Sequence, residues 1–312
     1  MANRPHFQKL LFVLNPISGD IAKEEVQMLV EQYCKSQRVE LFFYHTTGRQ
    51  DSENIEEQIK ELQPDIVVAI GGDGTVSLVA NILNHGSIPL GIIPLGSGNG
   101  LSKDIGIPQD IGDAIALLKD GVVNRIDSLD INGHTVFHLS DLGFNALIVK
   151  KFNDGETRGP GAYAWIALQE YLNYQPFSYK IQTDKDIFEG EAFMVTIANA
   201  NAFGSNATIN PTGVINDGYF EICLIEPFPK AAAVGLLLSL YTEKIQNSVY
   251  SRILKCKWAT IEKNPEDVLQ IDGEPIELDG LLHVQMHPKS LPVLMPANVN
   301  LEKEIKDTAL AD

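Results

Sequence analysis

The chain of 312 residues is poor in cysteine, poor in positive charge and without a long apolar run, and each shortage narrows its function. Its three cysteines, Cys34, Cys223 and Cys256, are scattered and follow no metal-ligand spacing. A reduced, cytoplasmic protein is the simplest reading, rather than a disulfide-stapled or zinc-dependent one. Lys and Arg number 24 against 41 Asp and Glu, for a net charge of −17. That balance argues against nucleic acid as a partner, because phosphate backbones are bound through basic patches. It also disfavours general electrostatic adhesion to anionic lipid. The longest apolar stretch, residues 231–240, falls well short of the roughly 20 residues that a bilayer-spanning helix needs. The N-terminus shows no signal-peptide core, so a soluble or peripheral protein is expected. The seven histidines form no i, i+4 pair and no zinc pattern. Apolar residues make up 44% of the chain, ample for packed cores, and the length suits two domains better than one.

What the chain does have is glycine at strand ends. Residues 64–102 read as two buried strands, each ending in a glycine-rich loop. Residues 65–70 are apolar and β-branched, as suits a strand covered on both faces, and end at Gly71-Gly72-Asp73-Gly74. Thr75 suits the N-cap of a following helix in which Val76, Val79, Ala80 and Leu83 share one face. Residues 90–94 form the second strand, ending at Gly96-Ser97-Gly98-Asn99-Gly100, where a hydroxyl and an amide add donors. Glycines let backbone N–H groups approach an anion, and a helix N-terminus favours one. Two such loops at the carboxyl ends of parallel strands would line one phosphate-binding crevice. Neither loop has the lysine of a P-loop or the G-x-G-x-x-G spacing, and either alone is equally a tight strand-to-helix turn. Asp73 tips the balance, because a carboxylate beside phosphates is unfavourable unless it handles a metal or a proton.

Around this stretch the chain divides. A strand at 10–14 leads through Asn15-Pro16-Ile17-Ser18-Gly19 to a helix at 22–33. A second strand at 39–44 leads through His45-Thr46-Thr47-Gly48 to a helix at 51–62, and residues 111–118 form a further helix. These repeated units make residues 1–122 an open, mainly parallel α/β layer. Beyond it, strands at 125–131 and 134–139 flank Asn132-Gly133, a type I′ turn. More strands are expected at 177–183, 187–199, 219–225, 252–261, 268–272, 281–286 and 292–295, as in an antiparallel sandwich or barrel. Helices at 162–174 and 230–246 interrupt them. The second of these reads as a core helix rather than a membrane-touching one, and residues 302–312 read as a frayed tail or short helix. Asn216-Asp217-Gly218 and Asp272-Gly273-Glu274 read, on the residues alone, as hairpin turns.

Taken in order, Asn15-Pro16-x-Ser18-Gly19, Gly71-Gly72-Asp73-Gly74-Thr75, Pro94-Leu95-Gly96-Ser97-Gly98-Asn99, Asn216-Asp217-Gly218 and Asp272-Gly273-Glu274 resemble the diacylglycerol kinase catalytic-domain superfamily. That superfamily includes bacterial soluble lipid kinases and the sphingosine and ceramide kinases, and it is more distantly similar to NAD kinases and phosphofructokinases. The resemblance spans nearly the whole chain. It implies an α/β nucleotide-binding domain at 1–122, joined by a returning segment at 292–312. It further implies a β-rich lipid-binding domain, an antiparallel sandwich, at 123–291, with the active site in the cleft between them.

The resemblance also implies ATP and Mg²⁺ as cofactors. Asn15, Ser18, Thr46, Thr47, Gly71, Gly72, Asp73, Gly74, Thr75, Ser97 and Asn99 would contact the nucleotide, although the two threonines serve equally as turn formers. Asp73 would hold the catalytic Mg²⁺, and Asp272 or Glu274 would be the general base on the acceptor hydroxyl. Asp217, with the carbonyls of Val214 and Tyr219, would hold a structural Mg²⁺. The implied activity is transfer of the γ-phosphate to a lipid hydroxyl, first of all diacylglycerol giving phosphatidic acid, at a membrane surface visited transiently; a homodimer is left open. Ser97 brings its loop closer to the sphingosine and ceramide kinases. Leu147-Ile148-Val149, after Gly143-Phe144-Asn145-Ala146, however, offers no carboxylate for a sphingoid amine. The rival readings are a kinase of a soluble acceptor, similar to NAD kinases, and a nucleotide-binding protein that transfers nothing. The second should have lost the acids of Gly-Asp-Gly or Asp-Gly-Glu, and both are present.

Overall fold

Strands that are apolar on both faces demand cover on both, and the first half of the chain supplies it with helices. The computed structural model describes residues 5–16, 23–155, 160–203, 207–278 and 280–299; the expectations for Ser18, Gly19 and 302–312 lie outside these. Chain order is β1 (Lys9–Leu14), α1 (Lys23–Gln37), β2 (Glu40–His45), α2 (Asp51–Leu62), β3 (Ile66–Gly71), α3 (Asp73–Leu83), β4 (Leu90–Pro94), α4 (Gly100–Asp104) and α5 (Ile111–Asp120). The four strands pair in parallel in the order β2-β1-β3-β4. Leu11, Val13, Val67 and Ala69 point to one face, under Ile55 of α2 and Val76 and Val79 of α3. Leu10, Phe12, Val68 and Ile70 point to the other, under Val26 of α1 and Ile115 of α5. This is the period-2 alternation of a sheet buried on both sides.

The second half is antiparallel. It runs β5 (Val122–Ile131), β6 (His134–Val136), β7 (Leu139–Gly143), α6 (Phe144–Asp154), α7 (Pro160–Tyr171), β8 (Phe177–Thr183), β9 (Ile187–Ala192), β10 (Met194–Ala198) and β11 (Phe220–Ile225). It continues with α8 (Ala233–Tyr241), β12 (Ser251–Cys256), β13 (Trp258–Glu262), β14 (Leu269–Ile271), β15 (Glu274–Ile276) and β16 (Leu281–Met295). One sheet has the order β12-β11-β10-β7-β14-β15. The other continues the parallel layer as β4-β16-β13-β8-β9, with β5 against β16 and β6 against β5. Their facing residues, among them Leu129, Ile181, Val195, Ile222, Ile261 and Val284, close a sandwich core. The expected α/β layer followed by an antiparallel β-sandwich is therefore the fold. No helix among the described residues is long and apolar enough to cross a membrane.

Several elements differ from their expected form for one reason, that the sandwich needs strands that change sheets. The strand expected at 187–199 breaks at Phe193, and β9 joins the larger sheet while β10 joins the smaller. The strand expected at 252–261 breaks likewise at Lys257, between β12 and β13. Conversely, the segments at 281–286 and 292–295 are one strand. The first part of β16 pairs with β13 and β5 in the sandwich, and the last part pairs with β5 and touches β4 through Val293 and Leu90. The helix expected at 230–246 shortens to α8 between two 3-10 turns, and α4 and α6 are additional. Thr75 does not cap α3: Thr75 and Val76 both donate backbone N–H groups to the Gly72 carbonyl, so the helix begins three residues earlier, with Gly72 as N-cap.

The β5–β16 pairing slips between His287 and Leu291, where Lys289 adopts φ 51°. Asp127 of β5, completely buried, fixes the irregularity by accepting the N–H of Lys289 at 2.6 Å and of Gly218 at 2.7 Å. Asp127→Ala should strand both donors and destabilise the protein by about 3 kcal/mol in chemical denaturation. An unchanged midpoint would mean that strand pairing alone holds the bulge.

Candidate active site

Parallel register brings the two glycine loops together. Gly71 pairs with Pro94 at the ends of β3 and β4, and Leu95 donates to the Gly71 carbonyl at 2.8 Å. Beyond this the loops touch backbone to backbone, since a Cβ on Gly96 would lie 2.6 Å from Gly72 Cα. Only glycine permits that approach. Asp73, the first residue of α3, accepts the N–H of Gly100, the first residue of α4, at 2.7 Å through Oδ1. Its Oδ2 faces Gly98, where an added Cβ would sit 2.8 Å away. Asp73 is thus a clasp between the loops, with its second oxygen beside Gly98. Such an oxygen beside backbone donors suits a Mg²⁺ that accompanies phosphates.

The other expected nucleotide contacts gather at the same sheet edge, although not all present free groups. Asn15 donates its backbone N–H to Ile70 at 3.2 Å and Thr46 to Leu14 at 2.9 Å, so both flank the Gly71 loop. The Thr47 hydroxyl is engaged with Asp51 and the Arg49 carbonyl, and Asp51 also accepts from Thr47 N, Gly48 N and Tyr44 Oη. That is the turn-forming arrangement. Asn99, buried at φ 52°, folds back on its own loop: its Oδ1 accepts from Gly96 N at 2.9 Å and its Nδ2 donates to Gly96 O at 2.7 Å. It shapes the loop rather than offering its amide to a ligand, whereas Ser97 stands exposed at the tip.

The second carboxylate motif faces these loops from the other half of the chain. Asp272 and Gly273, with φ 47° and 91°, form the two-residue turn between β14 and β15, so the backbone is the expected hairpin. The Asp272 side chain goes further, accepting the N–H groups of Phe137 and His138 at 3.0 Å and of Leu139 at 3.2 Å. Burial pushes its carboxyl pKa up, against the opposing pull of these donors and of His138. Glu274 stands exposed at the start of β15.

Two residues that sequence reasoning missed join the halves. His138 Nε2 lies 3.2 Å from Asp104 Oδ2, and the same oxygen accepts from Asn201 N at 2.8 Å and Ala202 N at 3.0 Å. The His138 ring also presses on Gly100, where no Cβ fits. The available signals were slight: the second of two histidines in the strand expected at 134–139, and an aspartate four residues after Gly100 on a helix too short to show a period.

The Asp217 site fits a cation poorly. Asp217 Oδ1 accepts from Tyr219 N at 2.9 Å, while Oδ2 is 2.6 Å from the Lys255 ammonium, itself 3.1 Å from Glu221. The Val214 carbonyl accepts from Asp217 N at 3.4 Å. Lys255 therefore supplies the positive charge that a structural Mg²⁺ would bring.

Residues 9–131 match the diacylglycerol kinase catalytic domain, and residues 140–295 match the YegS C-terminal NAD kinase beta sandwich-like domain. The chain belongs to the family that joins these two domains, the second of which spans half of it. It is 25% identical to the probable lipid kinase YegS of Salmonella arizonae over 96% of this chain and 99% of the relative. A diacylglycerol kinase from Bacillus anthracis shares the fold, at TM-score 0.74 and 20% identity over 95% of this chain and all of that one. An NAD kinase from Archaeoglobus fulgidus in complex with ATP is a more distant likeness, at TM-score 0.52 and 14% identity over 92% of this chain and 94% of that one. The Asp73 loops lie in the first of these domains and the Asp272 turn in the second.

Burial alone would lower the His138 pKa, but the Asp104 hydrogen bond and the charges of Asp104, Asp272 and Asp73 leave it raised. A histidine charged more readily folded than unfolded contributes stability that is complete below its unfolded value, about 6.5, and lost as pH rises through the raised folded value. Wild type should therefore be more stable than His138→Gln at low pH and lose that advantage as pH rises. Melting curves that differ by a constant across pH would assign the coupling elsewhere.

For Asp217, the melting temperature of wild type should be indifferent to excess Mg²⁺ or EDTA, whereas Lys255→Met should gain a Mg²⁺-dependent rise by mass action. A wild-type melting temperature that climbs with Mg²⁺ would restore the metal site.

Proposed function

We propose that the protein is an ATP-dependent lipid kinase that transfers the γ-phosphate to a lipid hydroxyl, with diacylglycerol as acceptor and phosphatidic acid as product. One observation carries this reading above the others: the glycine loops meet at Gly72 and Gly96, and the Asp272-Gly273-Glu274 turn is tied to the same place through His138. Phosphoryl transfer needs charge compensation, a metal and a group that takes the acceptor proton. The backbone of 71–74 and 96–98 supplies N–H groups for the phosphates, and Asp73 Oδ2 would hold Mg²⁺. The metal, when bound, neutralises charge developing on the phosphate oxygens.

Of the two carboxylates in the turn, Asp272 has both oxygens committed to backbone donors while Glu274 is exposed. We assign Glu274 as the general base and Asp272 as the residue that holds its turn. The acceptor hydroxyl gives its proton to Glu274 as its oxygen bonds to the γ-phosphorus and ADP departs. The absence of an acid at Leu147, Ile148 and Val149, on α6 beside this turn, favours an uncharged acceptor over a sphingoid amine.

Phosphorylation of a lipid panel with γ-labelled ATP tests the acceptor class, and two variants test the roles. Glu274→Gln should lower turnover by about 10² to 10⁴ with melting temperature and ATP affinity unchanged. Asp272→Asn should lose stability and activity together. Wild-type turnover in Glu274→Gln would sink the base assignment.

A further inference from the structure

Half of the large hydrophobic side chains exposed among the described residues stand on or beside two helices. On α8, Val234, Leu237, Leu238 and Tyr241 are each more than half exposed, at the spacing i, i+3, i+4, i+7. That is one continuous stripe, and it points to solvent while Leu236 anchors the helix from beneath. On α7, Trp165 and Leu168, with Leu172 one residue past its end, repeat the pattern at i, i+3, i+7. A helix on a soluble protein turns such a stripe to the core, yet both of these turn it outward. The two are neighbours: Lys230, ahead of α8, donates to the Leu172 carbonyl at 3.5 Å, and Tyr171 stacks on Phe228 with centroids 6.3 Å apart. The core-helix reading of 230–246 is thereby overturned for α8.

Charge selects the occupant. Although the chain carries 41 acids, residues 227–257 contain one, Glu243, and while Arg252 is paired with Glu226 and Lys255 with Asp217 and Glu221, Lys230 and Lys244 flank α8 on either side. The lone acid of α7, Glu170, is paired with Lys151 at 2.6 Å. A second copy docking across a two-fold axis would set this basic segment against itself. An apolar stripe holding Trp and Tyr, with Lys230 and Lys244 at the ends of its α8 half, instead matches the interface of an anionic bilayer. The face is also continuous with the proposed site. Phe144, the first residue of α6, packs on Phe193 and Tyr174 at centroid distances of 4.6 and 5.2 Å, and Asn153 near its end donates to the Gly273 carbonyl at 3.2 Å.

We propose that α7 and α8 form the face by which this protein docks on bilayers containing anionic phospholipid, an inference that rests on the lipid kinase reading. The test is co-sedimentation of the full chain with phosphatidylcholine vesicles with and without phosphatidylglycerol, beside phosphorylation of a short-chain diacylglycerol dissolved as monomer. Wild type should partition onto the anionic vesicles. The double variant Leu237→Ser, Leu238→Ser should partition roughly tenfold less, with its melting temperature and its activity on the soluble acceptor unchanged. Equal partitioning of variant and wild type would overturn the docking face, as would a wild type that dimerises in solution through these leucines. A wild type that phosphorylates the soluble acceptor but ignores vesicles would overturn docking and leave the kinase standing. A wild type that binds vesicles through these leucines but phosphorylates no lipid would support docking and remove the kinase reading.

Discussion

The antiparallel ribbon of β5 and β16 is the constraint on which the rest of the molecule depends. Each strand is long enough to serve two layers, and β16 at 15 residues is the longest strand among those described. Its first part is a sandwich strand between β13 and β5, and its last part lies beside β4. A strand that changes neighbours part-way must change twist, and the slip between His287 and Leu291 is where it does so. The buried Asp127 carboxylate makes that slip specific, because the N–H groups of Lys289 and Gly218 have nowhere else to go in a dry interior. A crossing of the two halves by continuous strands leaves less freedom than a linker would. The proposed crevice accordingly sits beside a stiff spine.

On that spine the carboxylates take different tasks according to what surrounds them. Asp73 is held by one N–H and keeps its second oxygen beside Gly98 in the glycine loop. Asp272 is held by three N–H groups and organises backbone. Asp104 gathers a histidine and two N–H groups and so bridges the halves. Asp217 and Glu221 share the Lys255 ammonium. The acidity of the chain is thus partly internal, with each buried carboxylate matched to donors rather than left to repel its neighbours.

The parallel layer was legible because strand, loop and helix alternate there with strong periodicity, and α2 and β4 fall at their expected bounds. The family framework was legible because five motifs recur in order. What stayed hidden depended on partners distant in sequence. Nothing local in 187–199 or 252–261 marks Phe193 or Lys257 as the residue at which the strand leaves one sheet for another. The inward bonding of Asn99 stayed hidden for a similar reason. A side chain that can donate to a ligand can donate to its own loop, and only the αL backbone at φ 52° decides for the loop. His138 and Asp104 come together only because the bend before β7 meets the end of α4 across the halves, a contact with no sequence period.

The outward stripes of α7 and α8 would be a liability on a neutral protein, since apolar faces of this kind drive self-association. Here a net charge of −17 spread over the rest of the surface keeps copies apart at long range. That field is screened within about 10 Å at ordinary ionic strength, so it does not prevent close approach of the locally basic segment 227–257 to a negative surface. The charge distribution therefore distinguishes two encounters that the apolar stripe alone would treat alike. Copies carrying this net charge repel at long range, while an anionic bilayer meets an acid-poor stretch, between residues 227 and 257, with Lys230 and Lys244 at the ends of α8, and is attracted. A chain whose overall charge argues against general adhesion to lipid is by the same charge restricted to one orientation on it, with α6 leading inward from that face to Gly273.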